Sequence, residues 1–224
     1  YEYDSQGRLI MQRNLSDGAG ERYGYVDGRL ATAVTVGGVG EAIVYENNTA
    51  IVTPIKQDLG GLVQFTGQAV NDALQIDINN IYTFTVRQSE IDATAGDALI
   101  LQVVMQGDNV FQPVIPGLQP SSVETTGNVI TALFSINTAG LYQLILTGTG
   151  NYQLSVSAAG DADLDGDVDG NDTAVVAAGF LPGADITGDG FVDFNDRQVA
   201  NFNFGLVQNS APELALALPD VLTH

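Results

Sequence analysis

Tyr82-Thr83-Phe84-Thr85-Val86 alternates aromatic or branched apolar residues with threonine. Side chains on a strand point to opposite faces in turn, so this run predicts a strand with one buried and one wet face. The same reading extends outward to segments 42–45, 50–54, 62–66, 73–78, 98–105, 110–115, 129–136, 141–147 and 152–156. Gly, Asn, Asp and Pro clusters separate them at short intervals, the pattern of a sandwich. The fold class read from the chain is therefore mainly β: an antiparallel β-sandwich over 43–159, preceded by β-hairpins and followed by a small helical module.

Composition agrees with this. Hydrophobic residues make up 45% and charged residues 15%, enough apolar content to build a core. The chain carries 27 acidic and 7 basic residues, a formal net charge of −20. That sign argues against nucleic acid and anionic membrane surfaces as partners, since both would be repelled. No apolar run approaches the roughly 20 residues that span a bilayer. Cysteine is absent, so nothing about redox compartment can be read from it. The chain begins at Tyr1 rather than Met, and the expectation is a processed or excised piece of a longer protein.

The end of the predicted sandwich reads Ala139-Gly140-Leu141-Tyr142-Gln143-Leu144-Ile145-Leu146, then Gly150-Asn151-Tyr152-Gln153-Leu154-Ser155-Val156. This resembles the close of a bacterial pre-peptidase C-terminal domain over residues 60–158. The resemblance implies a non-catalytic β-sandwich appended to a secreted protein. Ser157-Ala158-Ala159-Gly160 reads as a linker beyond it.

Toward the N-terminus, Tyr1-Glu2-Tyr3-Asp4-Ser5-Gln6-Gly7-Arg8-Leu9 is echoed by Tyr23-Gly24-Tyr25-Val26-Asp27-Gly28-Arg29-Leu30. Each copy predicts a strand, an Asp/Gly turn and a second strand, together a hairpin unit covering 1–42. The copies resemble the YD repeats of Rhs-type bacterial proteins, with one residue missing between Tyr25 and Gly28 in the second. That resemblance implies the end of an array of hairpins.

Ten of the 27 carboxylates lie between Asp161 and Asp196, a stretch without Lys or Arg. Without a cation that cluster would repel itself. Its first half reads Asp161-Ala162-Asp163-Leu164-Asp165-Gly166-Asp167-Val168-Asp169-Gly170-Asn171-Asp172. A twelve-residue EF-hand loop supplies calcium with oxygens from positions 1, 3, 5, 7, 9 and 12, and has glycine at position 6. Asp161, Asp163, Asp165, the Asp167 carbonyl, Asp169 and Asp172 fall on the ligand positions, and Gly166 falls on the turn. The second half repeats the register: Asp185-Ile186-Thr187-Gly188-Asp189-Gly190-Phe191-Val192-Asp193-Phe194-Asn195-Asp196. Its ligands are Asp185, Thr187, Asp189, the Phe191 carbonyl, Asp193 and Asp196. Thr187 brings a neutral oxygen, so one carboxylate fewer predicts weaker binding at the second loop. Val168 and Val192, both at position 8, are expected to pair.

Helices are predicted after each loop, over 172–178 and 196–204, ended by Gly179 and Gly205 and packed through Val175, Val176, Val199 and Phe202. Two such loop–helix units ending in Asp resemble a type I dockerin, here 160–205. The resemblance implies two Ca²⁺ sites and a protein partner. The Ser/Thr pair that dockerins carry at positions 10 and 11 is replaced by Gly170-Asn171 and Phe194-Asn195, so cohesin recognition of the usual kind is not expected. The remaining tail, 206–224, places Leu214, Leu216 and Leu218 on one face of a strand, or within a helix.

No catalytic constellation is visible. The lone histidine is His224, there is no cysteine nucleophile, and no phosphate loop is present. The expectation is a non-enzymatic, extracellular or cell-surface structural protein. It would dock in a calcium-dependent way onto a protein partner, or assemble with copies of itself by strand addition. The alternative is an accessory C-terminal region of a secreted carbohydrate-active enzyme, docking to a cohesin-like partner.

Overall fold

The run at 82–86 does build a strand, Asn80–Val86, but both of its faces are buried. The reason lies in the stacking of sheets, seen in a computed structural model. It describes residues 1–3, 6–13, 20–35, 40–46, 49–61, 69–76, 78–179 and 182–206.

The chain runs through β1 (Glu2–Tyr3), β2 (Leu9–Arg13), β3 (Gly20–Val26), β4 (Arg29–Thr35), β5 (Gly40–Glu46) and β6 (Thr49–Pro54). Next come β7 (Gln57–Gly61), β8 (Ala69–Leu74), β9 (Asn80–Val86), helix α1 (Gln88–Ala93), β10 (Leu99–Val110) and β11 (Pro120–Thr126). The last elements are β12 (Val129–Ile136), β13 (Gly140–Leu146), β14 (Gly148–Ala158), α2 (Gly170–Ala178) and α3 (Phe194–Asn203). They form a six-stranded sheet β1-β2-β3-β4-β5-β6, a five-stranded sheet β11-β12-β10-β14-β8 and a three-stranded sheet β13-β9-β7. The protein is mainly β, and its sheets are antiparallel except where β7 runs parallel to β9.

The main core lies between the three- and five-stranded sheets. Tyr82, Phe84 and Val86 of β9 and Leu144 and Leu146 of β13 meet Leu101, Val103 and Met105 of β10, Phe134 of β12 and Leu154 of β14. Each of these side chains is buried, and each contributes about 1.5–3 kcal/mol by leaving water. The alternate residues of β9 and β13 point the other way, where a wet face is expected. There the six-stranded sheet covers them. Arg22 of β3 donates to Thr85 Oγ1 (2.7 Å) and pairs with Asp58 of β7, while Thr83 Oγ1 donates to Asp58 Oδ1 (2.8 Å). Gln143 donates to Thr32 Oγ1 (2.7 Å) and to the Ala31 carbonyl. The polar residues are thus satisfied by one another rather than by water, which permits their burial.

Several boundaries differ from the sequence reading. Segments 42–45 and 50–54 become β5 and β6, which extend the hairpin sheet rather than the sandwich. Segment 110–115 is not a strand: Pro113 and Pro116 remove two donors, and only an isolated bridge joins Val114 to Ile145. The strand expected over 73–78 lies at Ala69–Leu74, leaving Ile76 and Ile78 exposed. The residues read as a linker are built in instead, with Ser157 and Ala158 ending β14 and Ala159 fully buried. The strand expected at 62–66 and the tail from 207 to 224 lie outside the described residues.

Candidate metal centre

Both acidic loops follow the same local logic. The N–H of position 6 donates to the first aspartate: Gly166 to Asp161 Oδ2 (3.2 Å) and Gly190 to Asp185 Oδ2 (2.9 Å). Position 7 donates to position 5, as Asp167 to Asp165 (3.1 Å) and Phe191 to Asp189 (2.8 Å). Position 3 donates to position 12, as Asp163 to Asp172 (3.2 Å) and Thr187 to Asp196 (2.9 Å). The last aspartate also accepts from position 9, in both loops at 2.8 Å. Gly166 (φ 98°) and Gly190 (φ 91°) hold the left-handed conformation that the sixth position demands.

The helices start two residues earlier than expected, because the ninth-position aspartate caps each one. Asp169 accepts from the Asn171 N–H (2.6 Å) and Asp193 from the Asn195 N–H (2.7 Å). Each forms a capping box with the aspartate at position 12. Gly179 ends α2 in the left-handed conformation, its N–H donating to the Val175 carbonyl (3.0 Å). The module's core holds Val176, Ala162, Ile186 and Ala200, with Val175, Val192 and Val199 at its margin. Phe202 is not part of it and stands 53% exposed, because Ala200 occupies the inward face of α3.

The expected pairing of Val168 with Val192 is not made through the backbone. Val168 donates instead to the Leu206 carbonyl (2.8 Å), and its own carbonyl accepts from Gly205 (2.9 Å). The Val168 side chain belongs to the main sandwich core. The chain just past α3, Gly205 and Leu206, pairs with Val168 where the second loop was expected.

The structure gathers the predicted ligands unequally. Carboxylate oxygens of Asp161, Asp163 and Asp165 lie within 4.8 Å of one another, as do those of Asp167, Asp169 and Asp172. Either group could hold a metal ion. Among the described residues no such trio forms from Asp185, Asp189, Asp193 and Asp196. The crowding has an electrostatic signature. Burial, with the Asp172 charge second, pushes Asp161 up to about 7. Burial and the neighbouring Asp165 push Asp167 up to about 6, and burial with Asp172 and Asp165 raises Asp163. Oδ1 of Asp167 is buried without a hydrogen-bond partner. An orphaned buried acceptor is what a cation would satisfy, so the carboxylates of the first loop could hold a metal ion.

Sequence reasoning did not find the sandwich residues that touch the second loop. Gln102 of β10 and Thr126 of β11 donate to its carbonyls, at Ile186 (2.7 Å) and Gly188 (2.9 Å). Nothing in their local sequence marks them.

No helix among the described residues is long and apolar enough to cross a membrane. No protein-family model matches the chain, and no curated protein matches it. Among solved structures it is similar to the pre-peptidase C-terminal domain of a collagenase from Bacillus anthracis, with 19% identity and a TM-score of 0.31, over 45% of this chain and 92% of that one.

Proposed function

We propose that this chain is a non-enzymatic extracellular structural element whose dockerin-like end binds two calcium ions and serves attachment. The observation that supports this most is the repetition of one hydrogen-bond scheme, position by position, in two acidic twelve-residue loops. Asp161, Asp163, Asp165, the Asp167 carbonyl, Asp169 and Asp172 would hold the first ion. Asp185, Thr187, Asp189, the Phe191 carbonyl, Asp193 and Asp196 would hold the second. Bound calcium supplies the positive charge that these carboxylates lack. The aspartates at positions 1 and 12 close each loop, and those at position 9 start each helix. Attachment to a protein partner or to further copies of the chain is the role such a charge-locked module would serve.

Isothermal titration of the chelator-stripped chain tests the assignment. Two calcium ions should bind, Asp161→Ala and Asp185→Ala should each remove one, and magnesium should compete poorly. Light scattering with calcium and then chelator tests the attachment role between copies. Growth of particles only with calcium supports self-assembly, whereas a monomer under both conditions leaves docking to a different protein as the role. A chain that binds no calcium at millimolar concentration overturns the proposal.

A further inference from the structure

The two loops share a backbone but not a setting. At position 4 both are left-handed, Leu164 with φ 61° and Gly188 with φ 76°. Leu164 projects its side chain and is 48% exposed. Gly188 has no room for one, since a Cβ there would overlap the Thr131 side chain of β12. Two loop carbonyls are held from the sandwich, that of Ile186 by Gln102 and that of Gly188 by Thr126. Gln102 is itself anchored, because Ser157 donates to its Oε1 (3.3 Å). At the far end of α3, the buried Asn203 accepts from the Ile100 N–H (2.9 Å) and donates to the carbonyls of Ile100 and Ala159 (both 2.7 Å). Among the described residues, no sandwich side chain donates to a carbonyl of the first loop.

Closing a free loop round an ion costs about 1–2 kcal/mol of backbone entropy per residue ordered. A loop already held in place loses less on binding. We propose that Gln102 and Thr126 are positioning residues of the second calcium site, so that the sandwich supplies by preorganisation part of what Thr187 withholds in charge. The inference rests on the calcium reading above. It also revises the ranking by ligand count alone: the second site binds more tightly than its carboxylates imply, and calcium there stabilises the sandwich in return.

The test uses the full chain. In an Asp161→Ala background, which leaves only the second site, Thr126→Val should weaken calcium binding about five- to tenfold, the loss of one hydrogen bond. Thr126→Ser should restore it. In an Asp185→Ala background the first site should be unchanged by Thr126→Val. Second-site affinity within twofold of the parent, or an equal loss at both sites, overturns the inference. If the Asp161→Ala and Asp185→Ala parents bind as the unmodified chain does, the calcium reading itself falls, and this inference with it.

Discussion

Asp161 shows at the level of a single residue what burial and crowding do to a carboxylate. Asp161 is 4% exposed and its carboxyl is pushed up to about 7, mainly by burial, from an ordinary value of 3.8. In the metal-free fold it therefore holds a proton more tightly than in the unfolded chain. Stability then falls as pH rises from about 4 to about 7, and is level above. Calcium removes this slope, because it binds the ionised form, which is also the form Asp161 takes in the unfolded chain above about pH 5. In chelator, the melting temperature should drop between pH 5 and pH 7.5, and Asp161→Asn, which cannot titrate there, should flatten the slope. With saturating calcium the melting temperature of the unmodified chain should stay nearly level between pH 5 and pH 7.5. A drop of the same size with and without calcium would contradict the assignment. The repeated loop conformation was legible from spacing alone, since the aspartate register and the glycine turn are local. The inequality of the aspartates was not, since burial depends on what packs above them.

Among the elements, β9 is the one whose surroundings differ most from its pattern. Its alternation is real, but the threonine face is sealed by the hairpin sheet. The Arg22–Asp58 pair lies in that seam, with side chains 7% and 6% exposed. A buried charge left alone is costly, so Arg22→Met should destabilise the chain by about 3–5 kcal/mol. Adding Asp58→Leu should recover a large part, though not all, because Thr83 and the Gly60 N–H also donate to that carboxylate. Urea unfolding of the two variants measures this, and equal destabilisation by the single and double changes would show that the pair is not what seals the seam. Strands such as β12 could be read directly because turns bracket them. β7 could not, because its sequence, Gln57-Asp58-Leu59-Gly60-Gly61, carries no strand pattern and is held by parallel pairing to β9.

The whole molecule is a stack in which every layer shares a buried contact with the next. The hairpin sheet meets the middle sheet at Ala42, Ile81 and Ile145. The helical module meets the five-stranded sheet at Leu133, Ala159 and Ile186, and through Asn203. Layers joined in this way should unfold together. Scanning calorimetry should show one transition for sandwich and module, rising with calcium by about 2.7 kcal/mol per site at a hundredfold excess over Kd. Two transitions, with only the smaller responding to calcium, would show that module and sandwich are independent.

By itself the sequence determined what depends on neighbours along the chain: the β character from period-two runs, the hairpins from Asp/Gly turns, and the two acidic loops from their register. Tertiary structure alone decided what depends on contacts far apart in sequence. It buried the threonine face of β9, turned residues 157 and 158 from a linker into the end of a strand, and set Gly188 against Thr131. The physical reason is that local patterns specify which groups need a partner, while only packing specifies where the partner comes from.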